Sequence, residues 1–304
     1  MATFALYNYE FEISLPDDTT PTLFGGESPV VAAKENFNRR QEVFAELLNH
    51  DQDGTTPIAY NSKNGKQDYK HKWLMKPQDG IYYFRLLHEH KIKLHDEDMN
   101  EHPAGDFLGC RVFFDNRDGI QRLAIEMNSS FGKLSTVEDI LARGLNEAMG
   151  KRYFLKVRLE HLLKPSRFWE IVGDRTSYPK GFSKMNLYFP PINLERLSEH
   201  IDYIINKGRA TLGSDSTVSF KAPSGTALSL DPKDEWTNNM VTSASAIGGN
   251  DAITLFPIGK KKVQVGHDNY EEINLSDDKL NQIEHGDMGL FGLDDIKAKL
   301  KTGI

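Results

Sequence analysis

The chain of 304 residues has very little cysteine and no long apolar run. Its one cysteine, Cys110, rules out an intramolecular disulfide and a zinc site built from several thiolates. No stretch approaches the ~18 apolar residues of a membrane span, and the N-terminus lacks a signal-peptide pattern. We therefore expect a cytoplasmic protein without membrane association. Cys110 lies in the apolar run Phe107–Phe114, which predicts a buried structural thiol.

The contiguous motifs of common enzymes are also missing. There is no G-x-x-x-x-G-K-[ST] phosphate loop, no H-E-x-x-H zinc motif and no G-x-S-x-G nucleophile elbow. The glycines at 286, 289 and 292 do not have the spacing of a dinucleotide-binding loop. These absences favour a non-catalytic protein and predict no cofactor, but they do not address a site assembled from distant residues.

What remains is the composition and pattern of a globular protein. Hydrophobic residues make up 38% and charged residues 27% of the chain, which argues against a disordered protein. Hairpin signals alternate with single helical segments, without the strict β-α repetition of a parallel sheet. We therefore predict an α+β fold with mixed, mostly antiparallel sheets and several single helices packed on them.

Local patterns predict individual elements. A turn at Asp115–Gly119 predicts a hairpin of Phe107–Phe114 with Ile120–Met127. One helix is predicted from Pro29 to about Asn49, followed by a long polar loop at 51–72. Further along, Thr217–Phe220 and Ala227–Leu230 are predicted to form another hairpin.

The segment Gly173–Gly181 is rich in turn-forming residues and suggests a boundary between domains at 1–175 and 180–304. One continuous domain is the alternative. The second domain would carry an acidic segment, Asp268–Asp295, in which nine carboxylates accompany a single lysine. This segment is typical of a solubilising surface, and docking onto the basic run Lys151–Arg167, of its own chain or of a neighbour, is the alternative.

One stretch reverses the charge of a chain whose formal net charge is −7. We call it the basic stripe, and its cations are Lys151, Arg152, Lys156, Arg158, Lys164 and Arg167. Glu160 is the only acid among them. Alternate residues of a strand share a face, so Lys156 and Arg158 are expected to lie side by side. The stripe predicts a surface for nucleic acid or for an acidic protein, and a solvated strand face is the alternative.

The polar segment that precedes Trp73 is a second candidate surface. It carries Lys63, Lys66, Lys70 and Lys72. Tyr69 and Trp73 alternate with these lysines, and aromatic faces can stack on bases while lysines contact phosphates. A flexible solvated loop is the alternative interpretation.

A third group of residues offers an alternative, catalytic interpretation. Two histidines two apart on a strand, with carboxylates on the next hairpin, can hold a divalent metal. The candidate ligands are His88, His90, Asp115 and Glu126. They would make the protein a metal-dependent nuclease or another hydrolase.

The leading hypothesis is a non-catalytic binding or assembly component that engages nucleic acid or an acidic protein through the basic stripe. The metal-dependent hydrolase and a structural homo-oligomer subunit are the alternatives. An accessory role in a bacterial defence or mobile-element system is a further expectation, although no motif carries it.

Overall fold

The computed structural model describes residues 1–15, 29–65, 67–95, 101–189, 216–286 and 291–301. Within these ranges the chain forms seven α-helices and two antiparallel sheets, which confirms the predicted α+β class. It divides into two compact units. The first comprises Met1–Ala5, Tyr9–Leu159 and Ile273–Lys301, and the second comprises Leu6–Asn8 and Glu160–Glu272.

The elements are numbered in chain order. The helices are α1 (Pro29–Asn38), α2 (Arg40–Gln52), α3 (Leu134–Tyr153), α4 (Pro165–Gly173), α5 (Glu235–Ile247), α6 (Asp277–Glu284) and α7 (Phe291–Lys301). The strands are β1 (Ala2–Ile13), β2 (Tyr60–Asn61), β3 (Asp68–Trp73), β4 (Ile81–His95), β5 (Glu101–Asp115), β6 (Arg122–Glu126), β7 (Leu155–His161), β8 (Phe182–Phe189), β9 (Ser216–Lys221), β10 (Ile253–Pro257), β11 (Val263–Gln264) and β12 (Glu272–Leu275).

The larger sheet has the strand order β12-β1-β6-β5-β4-β3-β2, and β7 pairs with β1. Alternate residues of β4 point to the two opposite faces of this sheet. Phe84 stacks on Tyr60 on the side where α3 packs, whereas the hydroxyl of Tyr83 donates to Glu284 of α6 on the other side. The predicted hairpin is confirmed as β5 and β6, with Asp115 opposite Arg122.

The predicted loop at 51–72 was wrong, because it contains the hairpin of β2 and β3. Tyr60 is opposite Tyr69, and β3 in turn pairs with β4 through Lys70–Trp73. Every second residue of β3 is exposed, so the strand alternates lysine with partly buried aromatic residues. This alternation is polar on average, which is why the segment resembles a loop in sequence.

The helix predicted from Pro29 to Asn49 is two helices. The break is at Arg39, whose φ of −107° and ψ of 29° depart from helical values. The second helix then continues to Gln52, beyond the predicted end.

The second unit contains a four-stranded sheet with the order β11-β10-β8-β9. One face of this sheet packs on α4 and α5, and Met185, Leu187 and Leu255 lie in that buried core. The predicted partner of β9 at 227–230 was wrong, since β9 pairs with β8. Leu228 and Leu230 are instead partly buried against the core. The sequence also suggests a helix at 193–208, which lies outside the described residues.

The two units divide the chain differently from the predicted boundary near residue 175. The C-terminal helices belong to the first unit, because Glu284 of α6 contacts Tyr83 and Lys297 of α7 contacts Asp79. The acidic segment is therefore shared between the two units.

Candidate nucleic-acid interface

The cations of the basic stripe come from three elements and from both units. Lys151 and Arg152 end α3, Lys156 and Arg158 lie on β7, and all four belong to the first unit. The other two cations, at the start of α4, belong to the second unit.

Most of the stripe is also paired with carboxylates. The ion pairs are Lys151–Glu147 at 2.6 Å, Arg158–Glu12 at 3.4 Å, Lys164–Glu272 at 3.0 Å and Arg167–Glu170 at 2.9 Å. Arg152 lies over the ring of Tyr153, and Lys156 is exposed. Because four of the six cations have an acidic neighbour, the stripe carries much less net charge than its sequence suggests.

The lysines near Trp73 occupy a different face from the aromatic residues. Lys70 and Lys72 are exposed on β3, whereas Tyr69 and Trp73 are partly buried on the opposite side. Trp73 donates a hydrogen bond to Asp51 at 3.0 Å. Lys63 is exposed in the hairpin turn. On β3 the aromatic rings therefore do not share a surface with the lysines.

Lys66 lies outside the described residues, as does the side chain of His90.

The remaining candidate metal ligands are each engaged elsewhere. Asp115 is buried and accepts hydrogen bonds from Arg117 at 2.8 and 2.6 Å. Glu126 accepts from Arg111 at 3.0 Å. The Nδ1 atom of His88 lies 3.2 Å from the carbonyl oxygen of Ser130. Among described residues, no three His, Cys, Asp or Glu side chains are grouped closely enough to hold a metal ion.

A group of lysines that sequence reasoning missed lies on the second sheet. Lys184 on β8 is opposite Lys221 on β9 and, on its other side, opposite Phe256 on β10. Lys262 immediately precedes β11, whose first residue pairs with Leu255, so it stands level with Phe256. We call these four residues the lysine row. Since adjacent strands are ~4.8 Å apart, the row extends about 14 Å across the sheet.

The lysine row lies on the face opposite the helices, because its strand neighbours Met185 and Leu255 point into the core. Lys221 and Lys262 are exposed, and Lys184 and Phe256 are partly buried. The Nζ atom of Lys184 lies 5.0 Å from the centre of the Phe256 ring.

Further cations lie next to the row. The turn between β10 and β11 carries Lys260 and Lys261, and it is tied to the loop before β8 by a 3.0 Å hydrogen bond from the Ile258 amide to the Gly181 carbonyl. Lys260 donates to the Ser177 carbonyl and lies 5.6 Å from the centre of the Tyr178 ring. The lysine row together with Arg175, Lys180, Lys260 and Lys261 is called the basic end of the second unit.

No protein family, characterised protein or solved structure matches this chain. No described helix is both long enough and apolar enough to cross a bilayer.

Few carboxylates offset the charge of the basic end. In the part of the chain that the structure describes, none lies within 4.0 Å of its ammonium or guanidinium groups. Hydrogen bonds from Ser177, and to a smaller extent the charge of Lys260, lower the pKa of Asp174. Two lysines directly opposite each other on neighbouring strands repel. A repulsion that the fold does not neutralise is typical of a surface selected for binding.

Part of this site has a visible signal in the sequence. The run Gly259-Lys-Lys-Lys262 is a basic turn and could have been identified as a candidate surface. Lys184 and Lys221 carry no such signal, because they are distant in the chain and meet only through strand pairing.

Proposed function

We propose that the protein is a non-catalytic binding component that engages nucleic acid through the basic end of its second unit. The observation that carries the proposal is the lysine row, in which Lys184 lies opposite Lys221 and, among the described residues, no carboxylate lies within 4.0 Å of either ammonium group. A phosphate backbone supplies negative charges at regular short intervals, and it gains affinity by releasing counterions when lysines bind it.

The negative charge of the whole chain confines its attraction for a polyanion to a local basic surface. The formal net charge of −7 repels a polyanion, so attraction has to come from a local concentration of cations. Phe256 lies within the row and adds an aromatic face on which an unpaired base can stack. These features favour nucleic acid over an acidic protein partner. The proposal places the protein in the cytoplasm. It is compatible with an accessory protein of a bacterial defence or mobile-element system.

The test is the affinity of the full chain for labelled oligonucleotides of about 16 nucleotides, by fluorescence anisotropy between about 50 and 200 mM salt. With about four phosphate contacts, the logarithm of the affinity should fall with a slope of about −3 against the logarithm of the salt concentration. The double variant Lys184→Glu with Lys221→Glu should bind at least about tenfold more weakly at the lowest salt.

The matched control is Lys70→Glu with Lys72→Glu, which makes the same change of charge on exposed strand positions of the first unit. We expect this control to retain most of the affinity. No binding by the native chain at low salt would remove the proposal. Full binding by the Lys184 and Lys221 variant, with loss in the control, would move the interface to β3. Binding of an acidic peptide in place of oligonucleotides would support the protein partner.

A further inference from the structure

We infer that the basic end takes single-stranded nucleic acid and discriminates against duplexes, an inference that rests on the proposed function. It comes from the position of Phe256 among the lysines. On β10, the flanking residues Leu255 and Pro257 are buried, whereas Phe256 is partly exposed on the other face. Its neighbours across the sheet are Lys184 and the position of Lys262.

Among the described residues, the neighbours of the ring along and across the strands on that face are polar or basic. Thr254 is the next residue of β10 on the same side, and its partners across the strands are Asn186 and Gln264. An aromatic residue set among polar and basic side chains offers a face for stacking.

Only an unpaired base can use such a ring. In a duplex the base faces are stacked on each other, and opening a step has a substantial cost. A single strand exposes its base faces, and every base has one, so stacking adds affinity without reading the sequence. The lysines would then contact phosphates on either side of the stacked base. The row is about 14 Å long, which is enough for its lysines to reach the phosphates on both sides of one stacked base.

The experiment compares a single strand with the duplex of the same sequence, at one salt concentration, for the native chain and for Phe256→Leu. The leucine keeps an apolar side chain and every positive charge. We expect the native chain to prefer the single strand by about tenfold or more, and the variant to lose about tenfold of that affinity. Affinity for the duplex and the salt slope should not change.

The control is Phe220→Leu, which removes a ring on the opposite face of β9, where Phe220 packs against Trp236. It should leave both affinities unchanged. Phe256→Trp should retain or increase the preference for the single strand. This result remains decisive if circular dichroism shows that the leucine variant does not fold.

Equal binding of duplex and single strand, or an equal loss for both in Phe256→Leu, would overturn the inference while the proposed function stands. No binding of either form would remove both.

Discussion

At the scale of single residues, Asp51 near the end of α2 shows how one buried carboxylate connects several elements. Its carboxylate is fully buried. It accepts hydrogen bonds from the Ile58 amide at 2.6 Å and the Trp73 indole at 3.0 Å, and the Nε2 atom of His71 lies 2.7 Å away. One side chain thus joins the helix to the segment before β2 and to β3. A buried carboxylate is stable only with such partners.

Replacing Asp51 with alanine should lower the free energy of unfolding by about 2–4 kcal/mol, because the buried Ile58 amide and the partly buried Trp73 indole lose their acceptor. The measurement is urea unfolding followed by far-ultraviolet circular dichroism. The exposed residue Asp118 provides the control, and Asp118→Ala should leave the unfolding midpoint almost unchanged. Similar midpoints for both variants would show that the Asp51 contacts contribute little.

The thiol of Cys110 confirms the prediction of a buried structural residue. It is fully buried and donates to the carbonyl oxygen of Glu126 at 3.2 Å. Burial, reinforced by the nearby Glu126 carboxylate, raises the pKa of Cys110 well above its ordinary value. The thiolate is therefore strongly disfavoured, and the residue lacks the chemistry of a nucleophile.

At the scale of elements, α3 packs very closely on β2. A Cβ atom added to Gly144 would lie 2.5 Å from a ring carbon of Tyr60 and 2.9 Å from the carbonyl oxygen of Ala59. A glycine inside a helix costs about 1 kcal/mol relative to alanine. The glycine is explained by the close approach of the helix to the hairpin, which leaves no room for a larger side chain.

We expect Gly144→Ala to destabilise the chain by about 1–2 kcal/mol, since the strain of overpacking exceeds the gain in helix propensity. Gly150 in the same helix is the matched control, because the nearest atom to its added Cβ is 3.9 Å away. Gly150→Ala should raise the free energy of unfolding by up to about 1 kcal/mol. Urea midpoints that move in the same direction for both alanines would contradict this packing argument.

The acidic segment docks on basic residues of its own chain, in two separate places. Glu272 pairs with Lys164 of the basic stripe in the second unit. In the first unit, Glu284 at the end of α6 lies 2.9 Å from Arg111 and 3.1 Å from Arg85. Hydrogen bonds from Tyr83 and Arg111 lower the pKa of Glu284, although its burial opposes the change. These acids therefore serve packing as well as solubility.

At the scale of the whole molecule, charges are distributed unevenly. Much of the basic stripe and of the acidic segment is used in ion pairs within each unit. The basic end is different, since its lysines are exposed or partly buried and, among the described residues, no carboxylate lies within 4.0 Å of their ammonium groups. A local excess of lysine on an acidic protein favours one anionic partner at one site.

Stability should fall in two stages as the pH is lowered. Burial lowers the pKa of His161, and the hydrogen bond to the Gly266 carbonyl offsets this only in part. The contribution of neutral His161 to stability is complete above the pKa of the unfolded state, about 6.5. It is lost as the pH falls toward the lower pKa of the folded state. Hydrogen bonds from Thr237 lower the pKa of Asp234. Carboxylates of this kind lose their contribution to stability only below about pH 4.

The measurement is the urea midpoint of the full chain from about pH 7.5 to about pH 3.5. His161→Gln keeps a side-chain donor for Gly266 but does not titrate, so the first stage should disappear while the acid stage remains. The control is His267→Gln at an exposed position, which should keep both stages. A native chain whose midpoint is constant between about pH 7 and 5 would contradict the assignment to His161.

Much of the fold was predictable because its signals are local. The turn Asp115–Gly119 specifies the hairpin of β5 and β6, and apolar spacing specifies α3. The hairpin of β2 and β3 was not predicted, because a segment of alternating lysines and aromatic residues lacks the apolar run that indicates a buried strand. Strand pairing was harder, since β9 joins β8 across a long separation in sequence.

The sequence alone determined the α+β class, the buried thiol of Cys110 and the lack of contiguous catalytic motifs. The tertiary structure decided which charges remain available. It pairs Arg158 with Glu12 and brings Lys221 opposite Lys184. It also separates Trp73 from Lys72 on opposite faces of β3. The physical reason is that periodicity acts over a few residues, whereas ion pairing and strand register depend on residues that meet only after the chain has folded.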